Sequence, residues 1–281
     1  MRTNDCLIFA PTYNERAMIE ALLDALLALP TRCDVLVVDD SSTDGTTALL
    51  AARAASDQRI GVIVRAGKLG VGSAHKLAWL HARRLGYSRF VTLDADFSHD
   101  PSDVSRLLAA LDLGADVVIG SRFAPGGRLD YHGRRLFLSR SANHLARSLL
   151  RLPIAEYTTS FRAARLDRVP EGLVETIEND GYAFFLSCAV RLVRAGLTVV
   201  EVPIHFHDRN HGKSKIPRFE ILRGALNLLR LALARRSAAN FRSLPAADAY
   251  CPACGRPYRI VTAAGDLRCL ACFEFAVDAR P

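Results

Sequence analysis

Five short apolar runs, each closed by a polar cluster, constrain this chain more than any other feature. They lie at residues 6–10, 35–38, 61–64, 90–93 and 117–119. Between them, residues 18–29, 46–55, 73–85 and 101–111 place apolar side chains at helical spacing. This alternation predicts an α/β fold with a doubly wound, mostly parallel sheet flanked by helices. In such sheets ligands bind beyond the carboxyl ends of the strands.

The residues at those ends are mostly polar. Pro11-Thr12-Tyr13-Asn14-Glu15 follows the first run, and Asp39-Asp40-Ser41-Ser42-Thr43-Asp44-Gly45-Thr46 follows the second. Asp94-Ala95-Asp96 follows the fourth, and Gly120-Ser121-Arg122 the fifth. Buried-edge carboxylates without cations are costly. A rim with this many acids therefore points to a nucleotide and a divalent metal.

Beyond residue 125 the regularity loosens. Residues 134–152, 181–195 and 217–236 have helical patterns, 197–204 reads as a strand, and 205–215 as a polar loop. The net charge is +8, and it is concentrated. Arg128 to Arg151 holds six Arg and one Asp, and Arg218 to Arg242 six Arg and one Glu, so each segment is +5. Such patches imply an anionic partner. Because apolar residues are interleaved with the arginines, an anionic membrane surface is expected and nucleic acid is not. The longest stretch without Asp, Glu, Lys or Arg runs only from Gly181 to Val190. A bilayer span needs about 20 apolar residues, so peripheral contact from the cytosolic face is the expectation.

Residues 240–249, with Pro and several Ala, read as a linker before a separate tail. Cys251, Cys254, Cys269 and Cys272 form two C-x2-C pairs separated by fourteen residues. Four thiolates at this spacing predict a structural Zn2+ ribbon, since so short a module has little core of its own. Cys6, Cys33 and Cys188 lie in apolar runs and read as core residues.

Taken in order, PTYNE, DDSSTDGT, the Lys68–Ala74 segment KLGVGSA, DAD and GSR resemble family 2 glycosyltransferases of the GT-A fold. Arg209-Asn210-His211-Gly212-Lys213-Ser214-Lys215 is similar to the R-x-x-G-x-S-K loop of polyprenyl-phosphate hexosyltransferases, with the dolichol-phosphate mannosyltransferase group the nearest likeness. The resemblance covers about residues 5–236. Together with the cysteine spacing of the tail, which lies outside it, this divides the chain into three parts: a GT-A domain at 1–215, a basic amphipathic helix and linker at 216–243, and the zinc-ribbon-like module at 244–281. Three positions depart from the group's pattern. Ser98 stands where Gln is usual, Thr158-Thr159-Ser160-Phe161-Arg162 lacks a Gly, and Ser187 replaces a Glu.

The resemblance implies inverting transfer of a hexose from a nucleotide sugar, GDP-mannose foremost, to a polyprenyl phosphate. Asp94 and Asp96 are the expected ligands of Mg2+ or Mn2+, which suits one or two carboxylates plus phosphates. Pro11, Tyr13, Glu15, Asp39 and Asp40 are assigned to the base and ribose. Arg122, Arg209, Ser214 and Lys215 are assigned to the phosphates. No general base stands out, which suits an acceptor phosphate that is already anionic; His99, His205 and His207 remain as alternatives. Two further readings stand beside this one. One is UDP-glucose or a hydroxyl acceptor on the same fold. The other is a non-catalytic transferase fold whose ribbon binds protein or nucleic acid.

Overall fold

A computed structural model describes residues 3–208 and 218–234, together with Ile260–Val261 and Leu267–Arg268. Arg209, Ser214, Lys215, Cys251, Cys254, Cys269 and Cys272 lie outside the described residues. The expected alternation is present: β1 (Cys6–Thr12), α1 (Ile19–Leu27), β2 (Asp34–Asp39), α2 (Thr46–Ser56), β3 (Ile60–Val64), α3 (Val71–Arg84), β4 (Arg89–Thr92), α4 (Asp103–Asp112) and β5 (Val117–Ser121). There follow β6 (Arg128–Leu129), α5 (Gly133–Leu150), β7 (Arg162–Arg165), α6 (Ala183–Arg194), β8 (Val199–Pro203), β9 (His205–Phe206) and α7 (Arg218–Leu233). In the tail, β10 (Ile260–Val261) pairs antiparallel with β11 (Leu267–Arg268).

The main sheet has the order β3-β2-β1-β4-β7-β5-β8. Every pairing is parallel except the two made by β7. From β1 the chain builds outward to β2 and β3, then returns to add β4 on the other side. The carboxyl ends of β1 and β4 therefore form the switch point, where a doubly wound sheet opens a crevice.

Both faces of the sheet are covered. In β1, Leu7 and Phe9 join one core cluster while Cys6, Ile8 and Ala10 join the other. This is the two-residue alternation of a strand, with apolar residues at both phases. The first cluster takes Ala74, Ala78 and Trp79 from α3 and Phe184 and Phe185 from α6. The second takes Leu22, Leu23 and Leu26 from α1 and Leu107 and Leu111 from α4. Cys6, Cys33 and Cys188 are buried free thiols, as their surroundings in sequence implied.

Two features depart from the sequence reading. Strand β7 lies inside the sheet although Arg-Ala-Ala-Arg has neither β-branched nor aromatic residues; pairing on both edges overrides weak propensity. His205, read as the start of a loop, instead pairs in register with Arg128, so that β6 and β9 form a small parallel sheet.

His75 on α3 sits at 4% exposure between Phe9 and Phe185, whose rings meet it edge-on at 4.9 Å. Its Nδ1 donates to Val71 O (2.8 Å), which leaves Nε2 to accept from Thr92 Oγ1 (2.8 Å). Burial pushes its pKa down to about 3. Below its ordinary pKa of 6.5 the unfolded chain takes up a proton that the folded core refuses until about pH 3. Stability attributable to His75 is therefore full above pH 6.5 and is lost as pH falls toward 3. Urea unfolding of wild type and His75→Gln from pH 7 to 4.5 should show the wild type losing about 2–3 kcal/mol more than the variant over that interval.

Candidate active site

The rim is built from loops that lock to one another. Asn14, at φ 56°, donates from its backbone to Ser42 Oγ (2.8 Å) and accepts from the Thr43 amide (2.8 Å). The loops after β1 and β2 are thereby held as one wall, with Pro11, Tyr13 and Glu15 half-buried along it. Lys68 Nζ lies 4.7 Å over the Tyr13 ring.

Asp39 and Asp40 have different environments. Asp39 is fully buried and accepts from Ser42 Oγ (2.5 Å) and Thr47 Oγ1 (2.6 Å). Asp40 pairs with Arg65, whose Nε donates to Oδ1 at 2.6 Å. The same guanidinium reaches Ser73 Oγ (2.6 Å) and Gly70 O (3.0 Å) at the start of α3. Arg65 was not among the residues singled out from sequence; it joins the second strand end to the KLGVGSA segment. That segment needs its glycine at 70. There φ is +95°, and a Cβ would stand 2.4 Å from Asp180 O.

Asp94 and Asp96 sit at the switch point, just past β4. Asp94 is half-buried, and its Oδ1 accepts from Ser160 Oγ (2.7 Å). Asp96 is 7% exposed and accepts from the Ser98 amide at Oδ1 (3.0 Å). Phe97, at φ 57°, turns the chain back to allow that bond. Ser98, standing where the resembling group has Gln, is buried, and its Oγ has no hydrogen-bond partner among the described residues. Asp94 and Asp96 together offer oxygen donors alone, a set that fits Mg2+ or Mn2+.

His99 does not stand as a base. Its Nδ1 accepts from the Asp94 amide (3.2 Å), and its ring packs against Phe161 and Phe206 at 4.9 and 5.3 Å. Burial holds its pKa below the ordinary histidine value, so it stays neutral. His205 and His207, the other two weighed as bases, both turn to Asp130.

Arg122 lies at the end of β5 in a network the sequence did not reveal. Its Nε and Nη2 grip Glu156 at 2.7 and 2.8 Å, Nη2 also reaches Thr158 Oγ1 (2.7 Å), and Nη1 reaches Tyr131 OH (3.0 Å). Burial alone would raise the Glu156 pKa, yet the adjacent guanidinium holds it below the usual carboxylate range. Glu201, beneath, accepts from the Ala155 and Glu156 amides at 2.9 and 2.8 Å. These bonds to described residues occupy four of the five guanidinium N–H donors. Glu156 carried no signal in sequence, because its partner is 34 residues away.

Comparison with known proteins agrees with this arrangement. The model of glycosyl transferase family 2 matches residues 7–187. A polyprenol monophosphomannose synthase of Mycolicibacterium smegmatis is 40% identical over 76% of this chain and 82% of its own length. An undecaprenyl-phosphate mannosyltransferase of Micrococcus luteus is 37% identical over 82% of this chain and 95% of its own. Among solved structures, glucosyl-3-phosphoglycerate synthase from Mycobacterium tuberculosis, in complex with Mn2+, UDP and glucosyl-3-phosphoglycerate, superposes with a TM-score of 0.55. It is 21% identical and covers 81% of this chain and 79% of its own, a likeness of fold. With its acids at the switch point and relatives of this similarity, the chain belongs to glycosyl transferase family 2, and it is a glycosyltransferase.

Proposed function

We propose that this glycosyltransferase moves mannose from GDP-mannose to a polyprenyl phosphate. The observation that carries the reading is the 40% and 37% identity, over most of each chain, to two enzymes named for mannosyl transfer to polyprenyl carriers. The rim fits the chemistry. Asp39 closes β2 and Asp40 follows it, and Asp94 and Asp96 follow β4, two strand spacings apart, or about 10 Å. A nucleoside at the first pair would set its diphosphate over the second.

An acceptor phosphate oxygen forms the new bond to the anomeric carbon as the bond to the nucleoside diphosphate breaks, which inverts that carbon. Asp94 and Asp96 would hold Mg2+ or Mn2+, whose charge offsets the charge developing on the leaving diphosphate. Ser160 orients Asp94, and Arg122, fixed by Glu156, offers its charge to a phosphate oxygen. No residue need remove a proton from a phosphate that is already ionised, in keeping with a neutral, packed His99. Arg209, Ser214 and Lys215 stay assigned to the phosphates and Tyr13 and Glu15 to the base. A Zn2+ ribbon at Cys251, Cys254, Cys269 and Cys272 also remains part of the proposal.

The lipid acceptor requires contact with a membrane surface, and two helices suit it. Phe137, Leu138, Leu145 and Leu149 on α5 are exposed, as are Leu222, Leu226, Leu229 and Leu233 on α7. The α7 residues fall on one stripe at helical spacing, and exposed Arg140, Arg147, Arg223 and Arg230 accompany the two helices. No described helix is long and apolar enough to cross a membrane. We assign this face to peripheral binding of anionic lipid.

Transfer from a panel of radiolabelled nucleotide sugars to polyprenyl phosphate, with Mn2+ or with chelator, tests the donor and the metal together. GDP-mannose should label the lipid and UDP-glucose should not. Asp96→Asn should lower transfer by about 100–1000-fold, the scale of losing one charge-stabilising group. Ser160→Ala, which only frees Asp94 to rotate, should lower it by roughly 10-fold. Labelling from UDP-glucose alone would reject the donor, and equal rates in chelator would reject the metal.

Co-sedimentation tests the membrane face. The protein should bind vesicles containing phosphatidylglycerol, bind neutral vesicles less, and release as salt rises. The double variant Phe137→Glu/Leu226→Glu should weaken binding by at least about 10-fold, since burying one such side chain is worth about 1.5–3 kcal/mol. Unchanged binding by that variant would remove α5 and α7 from the interface.

A further inference from the structure

Beside the rim, Asp130, His205 and His207 converge, and no step of the transfer proposed above uses them. The nitrogen and carboxylate oxygen atoms that these residues offer all lie within 4.8 Å of one another. His205 Nε2 stands 2.5 Å from Asp130 Oδ1, and His207 Nδ1 stands 3.1 Å from Oδ2. We propose that these three side chains form a second metal site, separate from Asp94 and Asp96, for a divalent transition ion of the Zn2+ class.

The backbone sets the arrangement in advance. His205 and His207 are two residues apart on an extended segment, so both imidazoles emerge on one face, while Phe206 between them is buried. Their ring centroids are only 4.1 Å apart. Asp130 is delivered from the neighbouring segment by β6–β9 pairing and by its own amide, which donates to Phe206 O at 3.0 Å. Flanking this, the His207 amide donates to Ser98 O (3.0 Å) and Phe206 packs on His99 and Tyr131. The three ligands therefore hang from a braced mini-sheet, and little chain entropy opposes their meeting on an ion.

The chemistry of the set selects the ion. Two imidazoles and one carboxylate favour Zn2+, Co2+, Ni2+ or Fe2+ over Mg2+ or Ca2+, which prefer oxygen alone. Metal–ligand distances of about 2.0–2.2 Å require only small rotations of groups already this close. Each of the three side chains is a little over 40% exposed, so water can complete the coordination. A cleft of about 650 Å3 opens beside Asp130 and His207, and Asp100 and Asp208 line it too, which adds a negative field that draws cations in. Three protein ligands at an open cleft leave a coordination position for a small anionic or neutral ligand, unlike a closed four-ligand structural site.

Zinc counting on the full-length, reduced chain tests this. Zn2+ would be measured by competition with a chromophoric chelator for wild type, Asp130→Asn, His205→Gln and His207→Gln. The cysteine pairs of the tail offer a separate sulfur set, so the readout is the difference between chains. Each variant should lose the same Zn2+ equivalent, or bind it at least about 100-fold more weakly, since loss of an outer partner alone costs roughly 10–100-fold. With Co2+ in place of Zn2+, the wild-type-minus-variant spectrum should lack thiolate-to-cobalt charge-transfer bands. Asp96→Asn should keep this equivalent. Equal zinc content in wild type and all three variants, each folded by circular dichroism, would overturn the site. Loss of the same equivalent in Asp96→Asn would overturn its separateness and place His207 with the rim metal.

Discussion

The rim depends on one strand that runs against its neighbours. Because β7 lies antiparallel between β4 and β5, its entry reaches the edge where those strands leave. Ser160 thereby meets Asp94, and Phe161 stacks on His99 while its carbonyl accepts from the Gly120 amide. The first residue of the strand anchors it. Arg162, 6% exposed, donates to the carbonyls of Thr159, Tyr157 and Phe185. Burial lowers its pKa from the ordinary arginine value, which shows what the core gives up to keep it there. A buried cation without a carboxylate is tolerated only where fixed dipoles surround it.

The same economy of motion governs the charged groups of the rim. Asp40 is fixed by Arg65 and Arg122 by Glu156, and the backbone at Glu156 is held in turn by Glu201, which accepts from the Ala155 and Glu156 amides. A site that stabilises charge during transfer works best when its dipoles are oriented beforehand, so that none must reorganise as the diphosphate leaves. Such buried pairs add little net stability, because desolvation offsets their attraction. Their effect is positional: Arg65 joins the loop after β2 to the segment after β3, and Arg122 joins the loops after β5 and β6 to the segment leading into β7.

The other face of the molecule is ordered differently. Helices α3 and α6 carry most of their described apolar residues into the core, whereas among the described residues α5 and α7 bury Ala146, Leu150 and Leu228 and leave a row of larger side chains outside. Exposed apolar residues in line on neighbouring helices are more than the single scattered ones that any surface carries. The apolar exposure and the basic charge thus fall on the same two helices, and the catalytic rim is left to polar loops.

What the sequence alone determined was local and periodic. Apolar runs at strand length fixed the parallel core, and Asp39, Asp40, Asp94 and Asp96 could be named because each stands next to such a run. The buried cysteines were legible for the same reason. What only the tertiary structure decided was every relation across distance. β7 was hidden because Arg-Ala-Ala-Arg carries no strand signal, and only two paired edges make it one. Glu156 pairs with Arg122 across 34 residues, and Asp130 meets His205 across 75. Periodicity reports on which face of its own element a side chain lies. Which partner from elsewhere faces it is set by the order of the strands, and that order exists only once the sheet has closed.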